Sequence, residues 1–364
     1  MQRRQFLKAT GTGFAATAAA AVAGTAAADL PALKWRMASS FPKSLEVLYG
    51  TGEHLARRVG EITAGRFEIR VFAGGEIVPA LGVLDAVQQN TVECGHTVSY
   101  YYHGKNKALS LDTTIPFGLN ARQLSGWIHY GGGLALLREL FAGYNVVNFP
   151  GGNTGAQMGG WFRREIESLA DLEGLKIRIP GFGAEIFAAM GAVPQQLSGG
   201  EVYPALERGA IDAAEWTVAY DDERLGFQRV APFYYYPGWW EPGPQLSFYV
   251  NRDQWDGLPK AYQAAFAAAA HEASLLMLAA YDAKNPPALQ RLAQAGVQLR
   301  RYPDDVLLEA YRTAKRIYAE ESARNPVFKK IYEAMHAFQQ PSDIWQGVSE
   351  VGMMNFMQAV RRLK

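Results

Sequence analysis

PALERGAIDAAEW (204–216) and DAVQQNTVECGHT (85–97) align without a gap. Each begins as a short helix and passes through a polar turn, Arg208-Gly209 in one and Gln89-Asn90 in the other. Each continues as a β-branched residue followed by an acid, Ile211-Asp212 against Val92-Glu93, and ends in small residues before a polar or aromatic side chain. The likeness is too faint for a solenoid repeat. It suits two similar lobes, each delivering the end of an equivalent strand to a shared cleft. A chance likeness between two helix–turn–strand segments is the alternative. In open α/β sheets ligands sit at the carboxyl ends of strands, so the two-lobe reading sets Glu215-Trp216 and Tyr100-Tyr101-Tyr102 across one gap. The functional question is what Glu215 does at the end of the apolar run Ile211, Ala213, Ala214: catalytic acid, metal ligand, pocket wall or solvated strand end.

Outward from that stretch, LKWRMAS (33–39), RFEIRVFA (66–73), TVECGHTVSYYY (91–102), LKIRIPG (175–181) and PQLSFYVNR (244–252) read as strands; RFEIRVFA alternates with period two. Helices are expected at about 45–63 and 82–90, and the last third is mainly helical, at 259–282, 304–322 and roughly 341–362. Strands alternating with helices indicate an α/β fold with helices packed on a sheet.

The 364 residues suffice for two domains with full cores. A composition 49% hydrophobic and 20% charged is that of a folded protein rather than a disordered one. Formal net charge is +1, and the first 28 residues hold Arg3, Arg4 and Lys8 with no acid, so the remainder is slightly acidic. That balance argues against nucleic acid and anionic membrane surfaces as partners. A single cysteine, Cys94, excludes an intramolecular disulfide and a Cys-rich metal site. RRQFLK (3–8), an Ala/Gly-rich apolar stretch and the small-residue run TAAAD near residue 28 have the order of a cleavable export signal. Paired arginines followed by Phe-Leu-Lys resemble a twin-arginine signal, although Gln2 stands where Ser or Thr is usual. A periplasmic protein is expected, which weakens any reading that needs ATP or a nicotinamide cofactor.

Enzyme motifs are missing. There is no G-x-S-x-G for HYGGG (129–133) to serve, no Gly-Lys-Ser/Thr after PGGNTG (150–155), no G-x-G-x-x-G after a strand and no H-E-x-x-H. Two features point instead to binding. In KIRIPG, Ile177 and Ile179 face one way and Lys176 and Arg178 the other. An arginine in so apolar a strand needs an anion, and its planar fork suits a carboxylate; an internal salt bridge is the alternative. The second feature is YYYPGWWEPGPQ (234–245), which sets Glu241 among tryptophans and prolines. A carboxylate there is either exposed at a loop tip or held by a cation or donors.

SLADLEGLKIRIPG (168–181) and VPQQLSGGEVYPALERGAIDAAEW (193–216) resemble the solute-binding subunits of tripartite ATP-independent periplasmic (TRAP) transporters, and the resemblance covers nearly the whole mature chain. MASSFPKS, VFAGGEIVPALGVLDAVQ, TIPFGLNARQ, GNTGAQMGGWFR and the tyrosine–tryptophan run are similar to the branch that binds 2-oxo acids such as pyruvate. The resemblance implies a two-lobed periplasmic-binding-protein fold with a cleft between the lobes and long C-terminal helices that support a homodimer. Residues 29–153 and about 246–300 are expected to form one lobe, 154–245 the other, and 301–364 the C-terminal helices. The family's carboxylate-binding arginine falls on Arg178. Its metal ligands fall on Gln157, Glu215, Glu241 and the backbone carbonyl of Trp216, with Asn153 and Tyr102 near the pocket.

Two glutamates alone would repel an anionic ligand. With Arg178 and a monocarboxylate the site keeps a net negative charge, which sodium reduces and calcium cancels. All proposed protein ligands are oxygens, as a hard cation requires. Glu215 is therefore expected to be a metal ligand in a substrate pocket, with the cation bridging to the carboxylate and its 2-oxo or 2-hydroxy oxygen. The expected function is capture of such an acid and its delivery to TRAP membrane subunits, without catalysis. The rivals are a binder of another carboxylate, such as a C4-dicarboxylate, and a metal-dependent enzyme acting on oxo acids.

Overall fold

In the computed structural model, which describes residues 30–363, two sheets form, one per lobe. The expected export signal at 1–28 lies outside the described residues. The first sheet contains β1 (Leu33–Ser39), β2 (Phe67–Phe72), β3 (Cys94–Thr97), β4 (Val146–Asn153) and β10 (Gln245–Asn251), in the order β2-β1-β3-β10-β4. β10 runs antiparallel to both its neighbours, the others parallel. The second sheet contains β5 (Trp161–Phe162), β6 (Lys176–Arg178), β7 (Val193–Gln195), β8 (Ala213–Ala214), β9 (Phe233–Tyr236) and β11 (Gln298–Arg301), in the order β11-β9-β5-β8-β6-β7.

The internal likeness is structural down to single hydrogen bonds. Helices Val83–Gln88 and Gly199–Glu207 end in matching turns, with Asn90 and Gly209 both in the left-handed region at φ 56° and 70°. The N–H of Thr91 bonds Ala86 O, and that of Ala210 bonds Ala205 O, at 2.8 and 2.9 Å. This six-to-one closure satisfies the helix's last carbonyls and turns the chain sharply into the next strand. The aligned acids do the same work: Glu93 accepts the Arg36 N–H of β1 at 2.7 Å, and Asp212 the Lys176 N–H of β6 at 3.0 Å. Each lobe thus aims one strand, β3 or β8, at the cleft.

The chain crosses between lobes after β4, returns between β9 and β10, and crosses a third time along helix Lys260–Gln294. Among the described residues this helix is the one long and apolar enough to cross a membrane by length and composition. Its apolar surface is spent on helix Glu46–Ile62 and β4 of the first lobe, and farther along it meets helix Ala219–Leu225 of the second. It runs twelve residues past the expected end at 282, through Pro286 and Pro287. Residues 298–300, expected in the first lobe, and 301, expected in the C-terminal helices, pair in parallel with β9 and extend the second sheet. The helix expected at 304–322 is found at Asp304–Arg324, but the next begins well before the expected 341: Asn325 caps helix Pro326–Gln346 by accepting the Phe328 N–H, with Pro326 in the first turn. Helix Asp304–Arg324 packs on helix Gly181–Ala189, and Pro326–Gln346 on helices Ala121–His129 and Gly133–Ala142.

Candidate ligand and cation site

Arg178 ends β6, flanked by β7 and β8, and is 1% exposed. The Trp216 indole covers its guanidinium at 4.8 Å, a stacking that only a close-packed neighbour permits: a Cβ at Gly199 would stand 2.5 Å from the indole edge. Nε donates to Leu197 O at 3.2 Å, and Nη1 donates to the backbone carbonyl and the Oε2 of Glu215 at 2.8 and 2.7 Å. Nη2 has no acceptor among the described residues. The internal ion pair that the sequence left open therefore exists, but it occupies one arm of the fork.

Glu215 follows β8 directly, and its N–H bonds the Arg178 carbonyl at 3.0 Å, so strand pairing delivers both groups to one point. Gln157 and Glu241 come from the first two chain crossings, after β4 and between β9 and β10. The Gln157 N–H bonds Glu241 O (3.1 Å), the Glu241 N–H bonds Gly238 O (3.0 Å), and the Gly238 N–H bonds Gln157 O (3.2 Å). A Cβ at Gly238 would lie 2.5 Å from Gln157 O, so the loop closes only around glycine. Gln157 Nε2 donates to Thr154 Oγ1 at 3.1 Å, which turns Oε1 away from that bond.

The result is a set of buried polar atoms with complementary demands. Gln157 Oε1, Glu215 Oε1 and Glu241 Oε2 have no donor, and Arg178 Nη2 has no acceptor, among the described residues. Buried polar groups are ordinarily satisfied, and leaving one unpaired costs about 1–3 kcal/mol. Burial pushes both carboxyls up despite the opposing pull of Arg178: Glu215, which the charge of Glu241 also raises, well above its ordinary value, and Glu241 to about 8. Two carboxyl oxygens with raised proton affinity and an amide oxygen suit a hard cation, and the free arm of an arginine suits a carboxylate. The residues present fit such a pair. Among the described residues no three His, Cys, Asp or Glu side chains cluster into a metal site of their own, so a cation here would need the Gln157 oxygen beside the two carboxyls.

Beside these groups lies an enclosed cavity of about 10 Å³, room for about one water, lined by Phe41, Val98, Tyr100, Gln157, Trp216 and Leu246. The first lobe covers it with Tyr100 and Tyr101. Tyr100 lies near enough to Glu241 to draw its pKa down, and burial pushes the Tyr101 hydroxyl up to about 12 against the pull of Arg178. Contacts that join the lobes include Gln196 Nε2 donating to Tyr101 O at 3.1 Å and His103 Nε2 against Glu185 Oε1 at 2.9 Å, where Lys107 also reaches Glu185. A larger groove of about 520 Å³ beside His129 and His271 contains no buried charged group.

Of the residues singled out in the sequence, Arg178, Gln157, Glu215, Trp216 and Glu241 converge. Tyr102 and Asn153 turn elsewhere. The Tyr102 hydroxyl accepts the Leu84 N–H at 3.1 Å and shares a 3.0 Å bond with Thr97, inside the first lobe. Residues Ser99–Tyr102 form a 3-10 turn rather than the expected strand end, so successive tyrosines rotate around an axis instead of alternating. Asn153 accepts the Gly155 N–H at 2.8 Å and donates to Gly243 O at 2.9 Å, bracing the crossing and lining the larger groove. The histidines His96 and His103 and the buried thiol of Cys94 all stand outside the set; His96 is a core residue bonded to Gly151 O at 2.8 Å.

Residues 38–325 match the family model described as bacterial extracellular solute-binding protein, family 7. The chain is 50% identical over 98% of its length, and 99% of the relative's, to the monocarboxylate 2-oxoacid-binding periplasmic protein of Nostoc sp.. Among solved structures it is similar to a TRAP transporter solute-binding protein from Bordetella bronchiseptica (50% identity, TM-score 0.90, 92% of this chain and 100% of that one), a mixed-occupancy dimer with copurified calcium and picolinate in one site. It is also similar to a TRAP periplasmic solute-binding protein from Pseudoalteromonas atlantica with bound sodium and pyruvate (35% identity, TM-score 0.86, 88% of this chain and 98% of that one).

Proposed function

The chain belongs to family 7 of the bacterial extracellular solute-binding proteins, and from that membership we propose that it captures a small 2-oxo or 2-hydroxy monocarboxylate together with a sodium or calcium ion. It is a binding protein and not an enzyme, as its family and relatives are. The observation that carries the ligand reading is the buried quartet of unsatisfied atoms: three oxygens on Gln157, Glu215 and Glu241, and Nη2 on Arg178.

Arg178 holds the ligand's carboxylate through Nη2 while Nη1 stays on Glu215, and Trp216 keeps the guanidinium flat against the strand end. Gln157, Glu215, Glu241 and the Trp216 carbonyl hold the cation, whose charge lets two carboxylates and an anionic ligand share one desolvated site. Tyr100 and Tyr101 cover the ligand from the first lobe and exclude water, and the Gln196–Tyr101 and Glu185–His103 contacts register the closed arrangement. Apolar walls at Phe41, Val98 and Leu246 favour a short alkyl group over a second carboxylate.

The closed complex is passed to TRAP membrane subunits from the periplasm, reached through the twin-arginine-like signal. Ile344, Trp345, Val348, Met353 and Phe356 on the C-terminal helices are each more than 60% exposed, and we assign this face to a homodimer, in keeping with the dimer formed by the similar Bordetella protein.

A thermal-shift screen of the mature protein tests the reading. Pyruvate, 2-oxobutyrate, lactate and succinate are each added after chelation, then with sodium or calcium restored. A ligand that binds the native state raises the melting temperature by mass action. Stabilisation by an oxo or hydroxy acid only with a cation present is expected; a larger shift with succinate, or indifference to chelation, overturns it.

A further inference from the structure

Asp222 is a buried carboxylate whose side-chain partners lie outside the group of Arg178, Glu215, Glu241 and Gln157. It lies in helix Ala219–Leu225 and is 1% exposed. Three donors converge on it: Trp161 Nε1 (2.9 Å) and the Tyr234 hydroxyl (2.7 Å) on Oδ2, and the backbone N–H of Thr217 (3.2 Å) on Oδ1. The last of these belongs to the same peptide unit as the Trp216 carbonyl. Among the described residues the one cis bond is Tyr236–Pro237, so the Trp216–Thr217 unit is trans, and its N–H and C=O point in opposite directions. Fixing the N–H on Asp222 fixes the direction of the carbonyl. That carbonyl accepts no backbone hydrogen bond among the described residues, although Trp216 is 3% exposed.

We propose that Asp222 is a positioning residue for the cation site: it anchors the Thr217 N–H and thereby aims the Trp216 carbonyl at the cation. The inference rests on the cation site proposed above. A tie at the far side supports it. The Thr217 carbonyl accepts the Met158 N–H at 3.2 Å, and its hydroxyl donates to Asp221 Oδ2 at 3.3 Å, which also accepts the Tyr281 hydroxyl at 2.6 Å. Thr217 is therefore held at three points, and one of them, Asp221, is tied in turn to Tyr281 of the long inter-lobe helix. An acceptor-only group is needed at 222, because all three partners are donors. An asparagine offers one oxygen, which the two side-chain donors take, leaving its NH2 against the Thr217 N–H.

The test is terbium luminescence on the full mature chain, with terbium ion as the probe for the calcium site. Decay lifetimes in H2O and D2O count the water molecules on the bound ion. Asp222→Asn is expected to add about one coordinated water and to weaken terbium binding ~10–100-fold, the range for groups that orient metal ligands, with far-ultraviolet circular dichroism unchanged. Asp222→Glu keeps the charge, displaces the acceptor and gives the same reading should the Asn chain not fold. Tyr234→Phe removes a donor from Asp222 but spares the Thr217 bond, and is expected to leave the water count unchanged. Equal water counts and affinities in wild type and Asp222→Asn overturn the positioning role, as does the same change in Tyr234→Phe. Failure of the wild-type protein to bind terbium at all instead overturns the cation site itself.

Discussion

Arg178 Nη1 lies 2.7 Å from Glu215 Oε2, while the other arm of the guanidinium and the other oxygen of the carboxylate both lack a hydrogen-bond partner among the described residues. The pair is half-made, inside a region where neither group reaches solvent. A fully mutual bidentate pair would be a structural bridge. This one leaves a donor for an anion and an acceptor for a cation, side by side.

Replacing Arg178 by lysine is therefore expected to cost more than a change of shape. A lysine keeps the charge but loses the fork that serves Leu197, Glu215 and the ligand together. Titration calorimetry is expected to show carboxylate affinity falling by two orders of magnitude or more, about 3 kcal/mol, in line with loss of a charged hydrogen-bond pair. Unchanged affinity would remove Arg178 from the site.

The raised carboxyls make stability depend on pH in a stated direction. Glu241 binds its proton more tightly in the folded chain, at about 8 against an ordinary 4.5. Stability of the chelated protein is then fully present below about 4.5 and is lost as pH rises to about 8, by up to about 1.4 kcal/mol per pH unit for one proton. Calcium removes this loss, because the cation takes the proton's place, and its affinity rises over the same window. Melting temperatures at pH 5 and 8, with chelator and with calcium, check both signs; a chelated protein more stable at pH 8 would contradict them.

Glu241→Gln removes a charge while keeping shape and the Gln157–Glu241 backbone bond. The chelated variant is expected to be at least as stable as wild type at pH 8, since a buried charge is gone, and to lose the calcium-dependent shift. Destabilisation without loss of the calcium response would favour a structural role.

The methyl group of Gly238→Ala would meet the backbone carbonyl of Gln157 at 2.5 Å. The loop that presents both Gln157 and Glu241 must open, at a cost of about 1–3 kcal/mol as for an overpacked core. Cation affinity is expected to fall with stability, read from calcium titration of the folded variant.

Much of this site was legible because its residues sit where strands end. Period-two alternation set Arg178 opposite Ile177 and Ile179, and the repeat between 85–97 and 204–216 placed β3 and β8 in equivalent positions before any contact was known. The tyrosine run departs from the expected strand because Ser99–Tyr102 close into a 3-10 turn, and the hydroxyl of Tyr102 goes to Thr97 and Leu84. Helix ends failed at prolines: Pro286, Pro287 and Pro341 all lie inside helices whose packing outweighs the lost hydrogen bonds. Asp222 carried no local signal. Its role depends on a peptide plane five residues away, and only the three-dimensional arrangement of Trp161, Tyr234 and Thr217 reveals it.

The most direct test of a cation and an anion sharing one site is their reciprocal linkage, measured by calorimetry on the mature protein. Calcium is titrated with and without saturating pyruvate, and pyruvate with and without saturating calcium. The account predicts that each tightens the other by the same factor, as linkage requires of coupled sites, and that pyruvate binds weakly or not at all to chelated protein. Pyruvate affinity that is the same at zero and saturating calcium would contradict it.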